Sequence, residues 1–173
     1  FRRVLFRSKG ISLSQTISMF NPTWQEDSHF DACFDEAVDF ASRVLTRFIA
    51  SANGGISAKE IVAKAIENAA DPRVIVLEKY TPWKRTVHAL SEQALYMIYP
   101  SQTGQWRIQT VPVEPGSFED RKSLPKQWAG LSDKELKEVT GIDDAMFCHN
   151  GLFIAGAESF ESTMKMASIA LNE

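Results

Sequence analysis

The chain has 173 residues, of which 44% are apolar and 24% charged, with a formal charge of −3. That balance is that of a globular protein able to bury a core, and it excludes disordered, collagen-like and low-complexity classes. The two cysteines, Cys33 and Cys148, are too few for a disulfide framework or a cysteine zinc site, and the longest tight apolar run, residues 94–99, is far shorter than a membrane span.

Residues 1–8 read Phe-Arg-Arg-Val-Leu-Phe-Arg-Ser and do not match the character of the remaining chain. One codon choice for them is a common sequencing-library adapter, so they are expected to be an adapter-derived artefact, with the true chain beginning upstream of Lys9. Without Arg2, Arg3 and Arg7 the body keeps 16 basic against 22 acidic residues, a formal −6. Such a body does not attract nucleic acid through its overall field, so any contact must be local.

Residues 12–20 are too short to classify, and Asn21-Pro22-Thr23-Trp24 reads as a turn. Phe30, Phe34, Ala37, Ala41, Val44 and Phe48 recur at steps of three and four, which predicts a helix over about 30–52 with one buried stripe. Asn53-Gly54-Gly55 is expected to stop it. A second helix then starts at Ser57, with Glu60 completing a capping box and Ile56 and Ile61 a hydrophobic staple, and ends at Asp71-Pro72.

From Arg73 the pattern changes. Residues 74–77 read as a strand buried on both faces, and Thr81-Pro82 opens a short helix with Trp83, Val87 and Leu90 on one face. Residues 94–99 and 105–111 form a predicted hairpin, its second strand placing Trp106 and Ile108 on one face and Arg107 and Gln109 on the other. Residues 112–131 lack periodicity, and Phe118, Leu124 and Trp128 are expected to pin them down. Ser132-Asp133-Lys134-Glu135 reads as a capping box for a helix ending near Gly141. Asn150-Gly151 is expected to make a two-residue type I′ hairpin turn, placing Phe147, His149, Leu152 and Ile154 on one face. A last helix carries Phe160, Met164, Ala167 and Leu171 as its stripe. The expected fold is α/β: a helical segment over residues 9–71, then a mixed-sheet domain over 72–173 with two hairpins and a C-terminal helix.

Candidate chemistry is sparse. Asp31, Asp35 and Asp39 share one helical face, a spacing better explained by a solvated first turn than by a metal site. His29 and His88 read as solvated. His149 sits beside apolar residues at a turn, either as a buried imidazole or in a phosphate or acid–base role. Gly156 precedes a helix start that could hold an anion, a weak signal opposed by Glu158. Residues 79–126 carry seven basic residues (Lys79, Lys84, Arg85, Arg107, Arg121, Lys122, Lys126) against four acidic ones, a local +3. Trp83 and Trp106 adjoin Lys84 and Arg107, the pairing that base stacking with phosphate contact uses.

In this order Asn21-Pro22-Thr23-Trp24, Pro82-Trp83-Lys84, residues 104–109, Leu124-Pro125, residues 128–131, Gly141-Ile142, Phe147, His149 and residues 151–156 resemble the C-terminal half of the melanocyte-proliferating-gene exonuclease family. The resemblance implies membership of the Asp-His-His phosphoesterase superfamily and 3′–5′ exonuclease action on RNA. It also implies a divalent metal, manganese above all, held by Asp and His motifs of an N-terminal domain, with water activated for attack on a phosphodiester. Nothing like those motifs occurs in these 173 residues, so this chain is expected to lack the catalytic domain and metal and to be inactive alone. The family's substrate-binding segment implies His149 and Arg107 as phosphate contacts, with Lys84 and Arg121 as second choices. Implied partners are RNA or a small nucleotide, the chain's own N-terminal catalytic domain and, as an open alternative, a homo-oligomer, with no membrane partner. The implied location is cytoplasmic in a prokaryote and mitochondrial or nuclear in a eukaryote. The competing reading is a non-catalytic packing or dimerisation domain built on the long loop and the stripe from Phe30 to Phe48. A third keeps the phosphoesterase but gives it a small phosphorylated substrate.

Overall fold

A computed structural model describes residues 10–27 and 29–173; the adapter-derived segment expected at residues 1–8 lies outside the described residues. The described chain contains five helices and one five-stranded mixed sheet, an α/β fold. By its own contacts it divides between Gly54 and Gly55 into two compact units.

In the first unit, α1 spans Leu13–Ser18. Its start is a capping box: the Ser12 hydroxyl accepts from the Gln15 N–H, and the Gln15 carboxamide oxygen accepts from the Ser12 N–H. The stretch left unclassified in the sequence is thus helical, held by its cap. Phe20 stacks on Phe40, ring centroids 5.3 Å apart.

The break expected at Asn53-Gly54-Gly55 does not occur. One helix, α2, runs unbroken through Phe30–Glu67, with Ser57 and Glu60 inside it rather than at a cap. A glycine inside a helix costs about 1 kcal/mol relative to alanine, a cost that 38 residues of continuous hydrogen bonding absorb. Nothing lies within 4 Å of an added Cβ at either Gly54 or Gly55. Gly54→Ala and Gly55→Ala are therefore expected to stabilise the chain by about 0.5–1 kcal/mol each. A higher urea midpoint at unchanged slope would show it; a lower midpoint would mean that the helix is interrupted here after all.

The second unit is built on the sheet, in the order β1-β2-β3-β5-β4, from β1 (Val74–Val76), β2 (Tyr96–Pro100), β3 (Trp106–Thr110), β4 (Ala145–Cys148) and β5 (Ile154–Ala157). Strands β1 and β2 are parallel and every other pair is antiparallel. Parallel neighbours need a crossover, and α3 (Lys84–Leu90) supplies it. Trp83 and Val87 are buried, but Leu90 is exposed and leaves the predicted face.

One face of the sheet carries Tyr96, Ile98, Ile108, Cys148, Ala155 and Ala157, packed with α4 (Asp133–Thr140) and α5 (Phe160–Asn172) into the larger core. As predicted from alternation, Trp106 lies on this side, its ring 4.8 Å from that of Phe160. The other face carries Ile75, Met97 and Tyr99, covered by α3 and by Val62, Ala65 and Ile66 of α2. This cover lies over β1 and β2.

Two local expectations for loops and caps change. Residues 112–131 are pinned by Leu124 and Trp128, both buried in the larger core, whereas Phe118 is fully exposed. Ser132 precedes α4 but makes no side-chain cap, because Asp133 takes a positive φ of 42° that turns the first turn away from the capping geometry. The helix does end at Gly141, whose φ of 68° is the left-handed conformation glycine adopts most cheaply.

Candidate functional site

The uncovered part of the second sheet face is set by strand register. Tyr99 pairs with Arg107, Arg107 with Gly156, and Gly156 with Phe147, so these four form one row across β2, β3, β5 and β4. Side chains two residues apart share a face, so Gln109 and Ile154 stand in the next row.

Arg107 is the centre of this surface. Its guanidinium carbon lies 4.8 Å from the centre of the Phe147 ring, a cation–π contact, and its Nη2 donates to the Gln105 carboxamide oxygen at 2.9 Å. It can lie flat because Gly156 beneath it has no side chain: an ideal Cβ there would overlap Nη1. The side chain is half-buried, and desolvation pulls its pKa below the ordinary arginine value, with Tyr99 opposing. Among the described residues the salt bridges join Arg73 to Asp71 and Lys134 to Glu138; no carboxylate pairs with Arg107. A half-buried cation held by neutral acceptors and a ring is arranged to receive an anion.

Next to it, the Tyr99 hydroxyl donates to Gln109 Oε1 at 2.5 Å. Burial first, then Tyr80, pushes the Tyr99 phenol up to about 12 against the pull of Arg107, so it is a neutral donor at physiological pH. Tyr80, more than half exposed, meets the Tyr99 ring edge-on at 5.3 Å.

His149 comes directly after β4 and continues its ladder, its N–H donating to the Ile154 carbonyl at 2.9 Å. By register it belongs two residues beyond Phe147, roughly 12 Å from Arg107 between Cα atoms at ordinary strand spacings. It is exposed rather than buried. Its ring lies 4.4 Å from that of Phe153, and Nδ1 accepts the Gly151 N–H at 2.9 Å. In the neutral ring the proton is therefore on Nε2, the nitrogen left to donate to a ligand.

The predicted two-residue Asn-Gly turn is not formed. The Leu152 N–H closes a turn on the His149 carbonyl at 2.8 Å, and Leu152 takes a φ of 59°. A left-handed leucine costs about 1–2 kcal/mol, and long-range bonds hold it there. The Leu124 N–H donates to the Leu152 carbonyl and the Thr110 N–H to the Phe153 carbonyl, both at 3.0 Å. These bonds delay β5 to Ile154 and hold the His149–Phe153 pair in place.

The other predicted residues lie elsewhere. Arg121 Nη1 donates to the carbonyls of Ser91 and Ala94 at 2.8 and 3.0 Å, tying down the end of α3. Its N–H bonds the Val111 carbonyl, beyond the opposite end of β3 from Arg107. Lys84 starts α3 with its ammonium 5.9 Å from the centre of the buried Trp83 ring, which no base can reach. Arg107 and His149 thus share one sheet face, and Lys84 and Arg121 do not join them. His88 is half-buried rather than solvated, with Nε2 lacking a partner; desolvation, then Arg121, lowers its pKa, with Glu114 opposing. The helix start after Gly156 holds the chain's own anion: Asp144 Oδ2 accepts from the Ser159 N–H and hydroxyl at 2.9 and 2.7 Å. Asp31, Asp35 and Asp39 are exposed, and among the described residues no group of three histidines, cysteines or carboxylates could hold a metal.

Composition and charge do not single out Phe147 or Gln105, and Gly156 stands out only as the residue before a helix start. Alternation in β3 already put Arg107 with Gln109, and a glycine inside a strand signals a close approach by another group, here the guanidinium of Arg107.

Fold and site together define a mixed-sheet α/β domain with an open, cation-centred face. Residues 3–171 match the family MYG1_exonuc, described as an uncharacterised protein family (UPF0160), and the chain belongs to it. It is 33% identical over 180 residues to an MYG1 protein of Saccharomyces cerevisiae, covering 96% of this chain and 53% of the yeast protein. With the human MYG1 exonuclease it shares 34% over 173 residues, covering 92% of this chain and 46% of the human protein. With the rat MYG1 exonuclease the identity is also 34%, over 92% and 45%. The chain spans about half the length of these relatives. No solved structure matches it.

Proposed function

We propose that this chain is the substrate-binding part of a metal-dependent phosphoesterase that resembles 3′–5′ RNA exonucleases, with Arg107 and His149 as its phosphate contacts. The observation that carries the reading is Arg107 itself: half-buried, laid on Phe147 over Gly156, and without a carboxylate partner among the described residues. The name exonuclease carried by the human and rat relatives supports the nuclease class. By the family resemblance a divalent ion, manganese above all, would be held by Asp and His motifs of the family's N-terminal domain, and no catalytic step is assigned here.

Around Arg107 the surface suits a nucleotide. Phe153, partly exposed, and His149 offer ring faces, the guanidinium takes a phosphate oxygen, and Nε2–H of His149 donates to a second one. A small phosphorylated substrate competes with RNA, and one observation favours it: Arg121, a candidate second phosphate contact, is engaged with the carbonyls of Ser91 and Ala94 and does not extend the site beyond Arg107.

The test is fluorescence anisotropy of the 173-residue chain with a labelled single-stranded RNA and with a labelled mononucleotide, over a salt series. Arg107→Ala is expected to weaken binding about tenfold or more, the worth of a charged hydrogen bond, and His149→Ala by several-fold. Arg107→Lys should rescue little, since an ammonium neither stacks on Phe147 nor forks to two oxygens. Unchanged affinity in both alanine variants sinks the assignment. A salt slope near one phosphate selects the small substrate, and a steep slope selects RNA.

A further inference from the structure

Of the helical stripe expected to be buried, Ala37, Ala41 and Val44 are half-buried, whereas Phe30, Phe34 and Phe48 are exposed; with Val38, Leu45 and Ile49 beside them, these six large apolar residues of α2 are between 44% and 68% accessible. At about 200 Å² for a whole large side chain, that is roughly 700 Å² of apolar surface. It exceeds the largest patch of an ordinary monomer and approaches the roughly 800 Å² per partner of a standard interface.

The spacing says what covers it. Phe34, Val38, Ala41, Leu45, Phe48 and Ala52 succeed one another at steps of four, three, four, three and four, the heptad seam of a two-stranded coiled coil. We infer that α2 pairs with α2 of a second copy of this chain, antiparallel, about a two-fold axis near residue 43. In that register each layer joins a large residue to a smaller one: Phe34 faces the copy's Ala52, Val38 its Phe48, and Leu45 its Ala41. A parallel pair would stack phenylalanine on phenylalanine and alanine on alanine, overfilling some layers and leaving voids in others. Charge points the same way. Asp31, Asp35, Glu36 and Asp39 occupy the first half of the segment, and Arg43 and Arg47 the second. Antiparallel pairing lays the acidic half of one helix beside the basic half of the other, whereas parallel pairing sets acid against acid. This interface is independent of the phosphate site.

Light scattering on the chromatographed 173-residue chain is expected to give a dimer, and Phe48→Asp a monomer with unchanged helical circular dichroism. In a Cys33→Ser background, Ser42→Cys sits beside the two-fold axis and should link to its own copy through a short bis-maleimide. A monomeric parent chain, a dimer indifferent to Phe48→Asp, or a dimer that Ser42→Cys does not link would each overturn the pairing. In the first case the stripe belongs to another occupant, such as the remaining half of the family's chain.

Discussion

Gly156→Ala is expected to cost the chain about 1–3 kcal/mol of stability and to weaken the proposed phosphate contact at Arg107 together with it. The added methyl would overlap Arg107 Nη1 and stand 2.9 Å from the Trp106 carbonyl oxygen and 3.0 Å from Phe147 Cε1. A guanidinium can swing aside, but the Trp106 carbonyl is backbone of the paired strand, so β3 and β5 must part to make room. Arg107 then leaves the ring of Phe147 and loses the geometry that presents it. The urea midpoint and the mononucleotide affinity should fall together in this variant. In Gly54→Ala the midpoint should instead rise with affinity unchanged, because that methyl points into open space. Full affinity in Gly156→Ala would mean that the flat seat under Arg107 is irrelevant to binding.

Trp128→Ala is expected to produce the largest loss of stability, about 3–5 kcal/mol, the usual cost of deleting a fully buried aromatic. Trp128 has no accessible surface and sits in a 3-10 turn, Lys126–Trp128, of the aperiodic segment 112–131. Its cavity would open in the larger core among Leu124, Leu136 and Cys148. The effect reaches the site, because Leu124 of the same segment holds the Leu152 carbonyl that sets the His149 turn. Loss of the cooperative denaturant transition, or a midpoint lowered by that amount, is the expected reading. A change below about 1 kcal/mol would show that the segment closes over the core without needing its tryptophan.

Much of the architecture was legible in the chain because it is local. The β2–β3 hairpin, the division of Trp106 and Ile108 from Arg107 and Gln109, and the Gly141 terminus all stem from alternation and backbone preference over a few residues. The candidate cation was legible as well, as a basic residue on the polar side of a strand. Where reading failed, a distant or cooperative effect had outweighed a local one. Gly54 and Gly55 have a strong tendency to end a helix, yet the hydrogen bonds of α2 continue through them. Asn150-Gly151 prefers a tight hairpin, yet bonds from Leu124 and Thr110 claim the carbonyls of Leu152 and Phe153 and reshape the loop.

By itself, the sequence determined the class of fold, the existence of most elements, the polar face of β3 and the want of cysteines for a disulfide framework, since these depend on composition and on periods of two and 3.6 residues. Only the tertiary structure decided what each of two similar arginines rests against. Arg107 and Arg121 look alike in the chain, but strand order sets one over a glycine and beside a ring, and turns the other onto two carbonyls. It also decided that the phenylalanines of the α2 stripe are exposed. Periodicity reports that a helix has an apolar side, whereas what covers that side depends on which elements of this chain, or of another copy, come to lie against it.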